Sequence, residues 1–127
     1  MTRRGGRRGL VDVTMEGDEV VVTTRGWWAF LSLRRRIRLP REAVRSAHVS
    51  GDPTAEVPVT WRSGGTGTFM IRAGYWRGSG VRSWWCYRYG QPAVLIELTL
   101  TRLQAVVVMT DDDDATVDAI MSARQTA

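Results

Sequence analysis

The sequence predicts a mainly β fold, with about seven strands in antiparallel hairpins followed by one C-terminal α-helix. In several short stretches apolar and polar residues alternate, as they do in a strand that buries one face. Glycine, proline and aspartate separate these stretches, and these residue types favour turns. The last stretch instead places Val117, Ile120 and Met121 at the spacing of one helix face.

Length and composition indicate one globular domain. The chain has 127 residues, a hydrophobic fraction of 43% and four prolines, which is typical of a protein with its own core. The lone cysteine, Cys86, cannot form an internal disulfide, which favours a reducing cytoplasm. We expect residues 1–9, with their paired arginines and glycines, to form a flexible basic arm. Residues 10–127 then form the single domain.

The charged residues point to a binding protein. All 18 basic residues are arginine and the formal net charge is +5. Because lysine is absent, Schiff-base chemistry is excluded. The basic residues are concentrated towards the N-terminal end and the last third of the chain is acidic. Such a distribution can attract nucleic acid, anionic lipid or a second copy of the chain.

The first hairpin can be predicted down to its register. With a two-residue turn at Gly17 and Asp18, Val13 lies opposite Val22 and Val11 lies opposite Thr24. All the inward pairs are then apolar or contain a threonine. A slip of one residue would expose the same side chains, so the pattern specifies the register.

Residues 27–50 carry the strongest candidate for a binding site. Alternation predicts a strand with Leu33, Arg35, Ile37 and Leu39 on the inner face and Arg34, Arg36 and Arg38 together on the outer face. Guanidinium groups two residues apart on a strand lie about 6.5 Å from each other and repel. We therefore expect acids from elsewhere, such as the aspartates at 111–114, or an anionic partner to lie across them. The candidate partner-binding or anion-binding residues are Arg34, Arg36, Arg38, Arg41 and Arg45.

Trp27 and Trp28 open an apolar run over residues 27–33 and are the candidate aromatic contacts. The run is far shorter than the roughly 20 residues that cross a bilayer. Two interpretations remain: an interfacial anchor, because tryptophan and arginine favour the headgroup layer, and a connector whose tryptophans cap the core. We favour the connector. If the run is exposed, it marks a contact site.

The second half of the chain begins without a clear pattern. Residues 63–67 predict a flexible glycine-rich loop, since the lysine that a phosphate-binding loop requires is missing. Strands are predicted over residues 81–89, 93–100 and 105–109, and they form an antiparallel meander. Cys86 is predicted to be a small buried apolar residue.

The acidic run before the C-terminal helix is predicted to start that helix. Asp111 is the expected N-cap, with Asp112 and Asp113 in the first turn, where the helix dipole favours anions. A calcium loop would alternate its ligands and place glycine at the bend, and this run does neither. We therefore predict no metal and no cofactor.

Catalytic chemistry is not predicted. His48 and Cys86 are the lone residues of their types, so no cluster for zinc exists in the sequence. Ser46, His48 and Asp52 lie close in sequence but lack the sharp turn that exposes a catalytic serine. We predict that the protein is not an enzyme.

Several segments resemble the bacterial pleckstrin-homology-like domains, in particular small actinobacterial members. The resemblance implies two nearly orthogonal antiparallel sheets that form a barrel or sandwich, capped by the helix, and no enzymatic activity. The acidic hairpin tip at Glu16 and Glu19 departs from the basic signature of phosphoinositide-binding members, so that function is not carried over. The segments that carry the resemblance are residues 17–22, 33–40, 43–46, 84–90, 94–98 and 111–124.

The predicted function is a binding or scaffold module for a protein partner or for self-assembly. The alternative is peripheral binding of anionic lipid headgroups or, ranked lower, nucleic acid, through the exposed arginine face. We expect a cytoplasmic protein, with the inner face of the membrane as its peripheral site. Ionic strength separates the two functions, because phosphate binding weakens steeply with salt and an aromatic interface does not.

Overall fold

The computed structural model describes residues 9–68, 70–99 and 101–125, and only the backbone of residues 124 and 125. The chain is mainly β, with two sheets and a long C-terminal helix. The predicted basic arm, except for Gly9, lies outside the described residues. None of the described helices is long and apolar enough to cross a membrane.

The first sheet contains strands β1 (Val11–Glu16), β2 (Glu19–Thr24) and β3 (Arg36–Pro40) in antiparallel order β1-β2-β3. The predicted register of the first hairpin is confirmed, with Val13 opposite Val22. Its turn begins at Gly17 with φ of 57°, as a tight hairpin turn requires. A short helix, α1 (Trp28–Leu31), connects β2 to β3.

The second sheet has six strands in the order β4-β8-β9-β7-β6-β5. Neighbouring strands are antiparallel except β7 and β9, which are parallel. A 3₁₀ turn (Arg41–Ala43) joins β3 to β4, and helix α2 (Pro53–Glu56) precedes β5. The strands are β4 (Val44–Ser50), β5 (Trp61–Gly67), β6 (Ile71–Gly78), β7 (Val81–Arg88), β8 (Ala93–Leu98) and β9 (Ala105–Val108).

Four features of the predicted fold need correction. The described residues contain nine strands rather than about seven, and the second sheet is mixed rather than purely antiparallel. The sheets do not close into a barrel, because the chain leaves the first sheet at the 3₁₀ turn and β4 pairs with β8 instead of β3. The strand predicted over residues 93–100 ends at Leu98, and Leu100 lies outside the described residues.

The predicted glycine-rich loop at residues 63–67 is wrong, since these residues belong to β5. Gly65 pairs directly with Gly74 of β6, and a Cβ atom built on Gly65 would lie 2.2 Å from the carbonyl oxygen of Ala73. Two backbones can approach this closely when neither residue has a side chain. Here the glycines indicate a tight strand pair instead of flexibility.

The core lies between the sheets and extends to both faces of β7. Residues 84–87 of β7 are all buried, including Cys86, as predicted. Val20 and Val22 of the first sheet belong to the same core. The indole N–H of Trp84 donates to the carbonyl oxygen of Ser32 at 3.1 Å, which ties the end of α1 to the second sheet.

Helix α3 (Asp113–Gln125) closes the fold against β4, β1 and β8. Ile120 is buried, and Val117 and Met121 lie partly buried against the core, which confirms the predicted inward face. The predicted N-cap is off by one residue, because Asp112 Oδ1 accepts the backbone N–H of Ala115 at 3.1 Å. The side chain of Asp111 instead pairs with Arg25, as described below.

Candidate binding surface

Helix α1 and the residues that flank it present large apolar side chains to solvent. Trp27 is 78% exposed, Phe30 is 74% exposed and Leu33 is 56% exposed. The rings of Trp27 and Phe30 contact each other, with centroids 5.6 Å apart. We call Trp27, Phe30 and Leu33 the apolar patch.

The two tryptophans predicted as aromatic contacts have different environments. Trp28 packs against the core, and the guanidinium carbon of Arg88 lies 5.7 Å from its ring centroid. Trp28 therefore caps the core as the connector interpretation expects, whereas Trp27 projects into solvent. One side of α1 therefore faces the protein, with Trp28, and the other side faces solvent, with Phe30.

Leu33 was expected to point inward, and this expectation is wrong. Its φ of 67° is left-handed, so the extended strand begins only at Arg36. Its side chain leans over Gly64 of β5, where a Cβ atom would lie 3.0 Å from Leu33 Cδ1. Only Ile37 and Leu39 of the predicted inward set are buried.

The outer arginines are partly neutralised, but by acids other than those expected. Arg38 Nη1 lies 3.1 Å from Glu19 Oε1 and 3.6 Å from Glu16 Oε1, at the tip of the first hairpin. Arg41 Nη2 lies 3.5 Å from Asp18 Oδ1. The carboxylates at the tip of the first hairpin thus partly neutralise the arginines at the end of β3.

Asp111, one of the acids expected to cover the outer arginines, instead pairs with Arg25. The two groups form a bidentate contact with both distances at 2.9 Å. Arg25 also pairs with Asp12, and hydrogen bonds to these two carboxylates raise the pKa of Arg25. The pair links the first sheet to the start of α3.

Arg34 and Arg36 extend the exposed basic surface. Arg34 donates to the hydroxyl of Tyr75 at 3.3 Å and to the carbonyl oxygen of Arg36 at 3.1 Å. Arg45 lies apart from them on β4, where it lines a separate cavity with Glu56 and Glu97. The structure therefore brings together Arg34, Arg36 and Arg38, and it separates Arg45 from them.

A groove of about 580 Å³ lies beside the apolar patch, between β3 and strands β5 to β7. No carboxylate is among the described residues that line it. Arg77 and Arg82 lie opposite each other on the two sides of the β6–β7 turn. The glycines at 78 and 80 are the signal in the sequence for this turn. Arg102 comes from a distant loop that no local pattern places there. We call this cavity the arginine groove, after the five arginines that line it: Arg34, Arg38, Arg77, Arg82 and Arg102.

The structure does not hydrogen-bond Ser46 to His48, two of the three residues weighed in the sequence as a Ser-His-Asp set. Ser46 donates to Glu97 at 2.9 Å and His48 lies 2.9 Å from Glu56, so Ser46 and His48 have different partners. Within the described part of the chain, no group of three metal-ligating side chains occurs. Burial raises the pKa of the Cys86 thiol, which keeps it protonated at neutral pH.

No family model, curated protein or solved structure matches the chain.

Proposed function

We propose that this chain is a non-enzymatic module that binds another protein through the apolar patch. The observation that carries the proposal is the exposure of Trp27, Phe30 and Leu33 within seven residues. Burying one large apolar side chain stabilises a complex by about 1.5–3 kcal/mol. Aromatic residues that stand together on a surface are also the usual centre of a protein interface.

The charges beside the patch describe the partner. Arg34, Arg35 and Arg36 are exposed, and no described carboxylate lies within 4.0 Å of their guanidinium groups. A partner with an apolar pocket and an acidic rim complements this arrangement. A second copy of the chain is less suitable, because the acids around the first sheet already pair internally.

Peripheral binding to anionic lipid is the second candidate function. The observation that favours it is the combination of Trp27 with the three consecutive arginines, since both residue types favour the headgroup layer. The apolar surface is short, however, because α1 has only four residues. A protein pocket can enclose three side chains more completely than a lipid interface can.

Photocrosslinking tests the proposal. A photoreactive amino acid at Phe30 should give one discrete protein adduct in cells, whereas the same group at Met70, which is 62% exposed, should not. After the partner is identified and purified, the double variant W27S/F30S should bind it about 10-fold to 1,000-fold more weakly. W61S is the matched control, because Trp61 is also exposed but lies outside the patch.

Three results would contradict the proposal. Binding to anionic vesicles that W27S/F30S abolishes, without a protein adduct, would assign the patch to lipid. A concentration-dependent dimer lost in the same variant would assign it to self-assembly. Equal loss of partner binding in W61S and W27S/F30S would remove the patch as the site.

A further inference from the structure

The arginine groove combines cations from three separate parts of the chain. Arg34 and Arg38 belong to the segment that forms β3, Arg77 and Arg82 come from β6 and β7, and Arg102 lies in the loop before β9. These residues are distant in sequence, so only the tertiary fold brings their charges together. This arrangement differs from a run of arginines on one solvated strand.

Two of the arginines stand directly opposite each other. Arg77 of β6 pairs in register with Arg82 of β7, so both side chains emerge on the same face of the sheet. Like charges directly opposite on a sheet destabilise the pair unless an anion lies between them or each is screened. Arg77 is turned aside, with its guanidinium carbon 5.6 Å from the ring centroid of Trp61.

The charges of the groove are mostly uncompensated. Of its five arginines, Arg38 has a carboxylate within 4.0 Å among the described residues, from Glu19 and Glu16. The side chain of Arg34 bonds to a phenol and to a backbone carbonyl, which leaves its charge in place. In the described part of the chain, Arg77, Arg82 and Arg102 have no carboxylate at that distance.

We propose that the arginine groove binds a small soluble polyphosphate, meaning a compound with at least two phosphoryl groups. Guanidinium groups match phosphate oxygens in bidentate geometry, and four cations without a carboxylate partner complement a ligand with more than one negative group. The inference goes beyond the protein-binding function proposed above, although Leu33 and Arg34 belong to both surfaces.

The size and the walls of the groove suit an organic polyphosphate. Its volume of about 580 Å³ lies within the range of about 300–1,000 Å³ that holds small ligands. The ring of Tyr75 and the side chains of Leu33 and Leu103 supply an apolar wall for an organic group. The hydroxyl of Tyr75 accepts a hydrogen bond from Arg34 and retains its own proton to donate to a phosphate oxygen.

Calorimetric titration of the full chain tests this inference. The probes are tripolyphosphate and adenosine triphosphate at low salt, with citrate as a polycarboxylate comparison. We expect saturable one-to-one binding of both phosphate probes and weaker binding of citrate. The variant R82Q/R102Q should bind the phosphate probes about tenfold or more weakly, because charge-assisted hydrogen bonds are lost. Both side chains are exposed, so the variant should keep the parent melting temperature.

The variant R45Q/R62Q is the matched control. It removes the same charge from exposed arginines that do not line the groove, and we expect the parent affinity for the phosphate probes. Vesicles containing an anionic phospholipid distinguish a lipid headgroup from a soluble ligand. The inference is overturned if neither phosphate probe binds, if both double variants lose affinity equally, or if only vesicles bind.

Discussion

Two hairpins of this molecule are stabilised by different means. In β1–β2 the side chains hold the pair in place, because Val20 and Val22 are buried in the core and a slip of one residue would move them to the other face of the sheet. In β5–β6 the backbone does so, because Gly65 and Gly74 lie directly against each other with φ of 113° and 112°. No residue with a Cβ atom adopts these angles easily.

The second hairpin also uses an arginine in place of a hydrophobic side chain. The guanidinium carbon of Arg72 lies 4.5 Å from the ring centroid of Trp85 and 5.0 Å from that of Trp76. Its Nε donates to the hydroxyl of Tyr89 at 3.1 Å. The difference teaches that the first hairpin depends on the type of side chain, whereas the second depends on the absence of side chains at two positions and on one stacked cation.

The largest predicted effect breaks the backbone contact in the second hairpin. In Gly74→Ala, the new Cβ would lie 2.3 Å from the carbonyl oxygen of Gly64, so the strands must separate. We expect a loss of about 4 kcal/mol or more in the free energy of unfolding, measured by urea denaturation. Gly80→Ala is the matched control, because Gly80 also has positive φ but nothing lies within 4 Å of its Cβ position. The free energy of unfolding of Gly80→Ala should fall by about 1–2 kcal/mol. Equal losses in the two variants would show that the positive φ, and not the backbone contact, causes the destabilisation.

The next effect removes side-chain volume from the first hairpin. Val22→Ala should lower the free energy of unfolding by about 2 kcal/mol, because Val22 is buried and its neighbours cannot fill the cavity completely. Thr14→Ala on the exposed face of β1 should change it by less than about 0.5 kcal/mol. A loss at Thr14 as large as that at Val22 would contradict the assignment of the faces.

A smaller effect tests the stacked arginine. Arg72→Met keeps an apolar side chain of similar length and removes the charge, so it should cost about 1 kcal/mol through the lost contacts with the aromatic rings. Arg77→Met provides the comparison, since Arg77 lies over one ring, that of Trp61, which is 53% exposed. In thermal unfolding, Arg77→Met should lose less stability than Arg72→Met. The reverse order would mean that stacking does not stabilise the second hairpin.

The smallest effect concerns α2, which leads into the second hairpin. Hydrogen bonds from Ser50 and His48 lower the pKa of Glu56 below its ordinary value of 4.5. The folded state therefore favours the carboxylate, and this stabilisation is present above pH 4.5 and is lost as the pH falls through the lowered pKa. Glu56→Gln should reduce the loss of stability between neutral and acidic pH in urea titrations. An unchanged pH dependence would show that this carboxylate adds no stability.

The first hairpin and the terminal helix could be predicted because local patterns specify them. The register around Val13 and the inward face at Ile120 follow from periods of two and of about 3.6 residues. Strand β5 could not be predicted in this way, since glycines such as Gly65 show no alternation. The prediction from alternation failed at Leu33, because its left-handed φ interrupts the extended backbone that alternation assumes.

The candidate site was partly predictable for a similar reason. The exposed positions of Arg36 and Arg38 follow from strand alternation. The acids that reach Arg38 come from another strand, and Arg102 enters the groove from a distant loop, so both depend on tertiary contacts. Of the two candidate aromatic contacts, the structure exposes Trp27 and packs Trp28 against the core, and it exposes Leu33, which was expected to point inward.

The position of β9 has a consequence for how the protein is made. This four-residue strand lies between β7 and β8, yet it is the last strand in the chain. During synthesis β7 and β8 are translated before β9, so one edge of each lacks its native partner until residues 105–108 are available. We expect released chains truncated before residue 105 to be digested readily by protease and the full chain to be protected, whereas protection of the truncated chains would contradict this. Assembly of the larger sheet thus depends on a central strand that is translated after both of its neighbours.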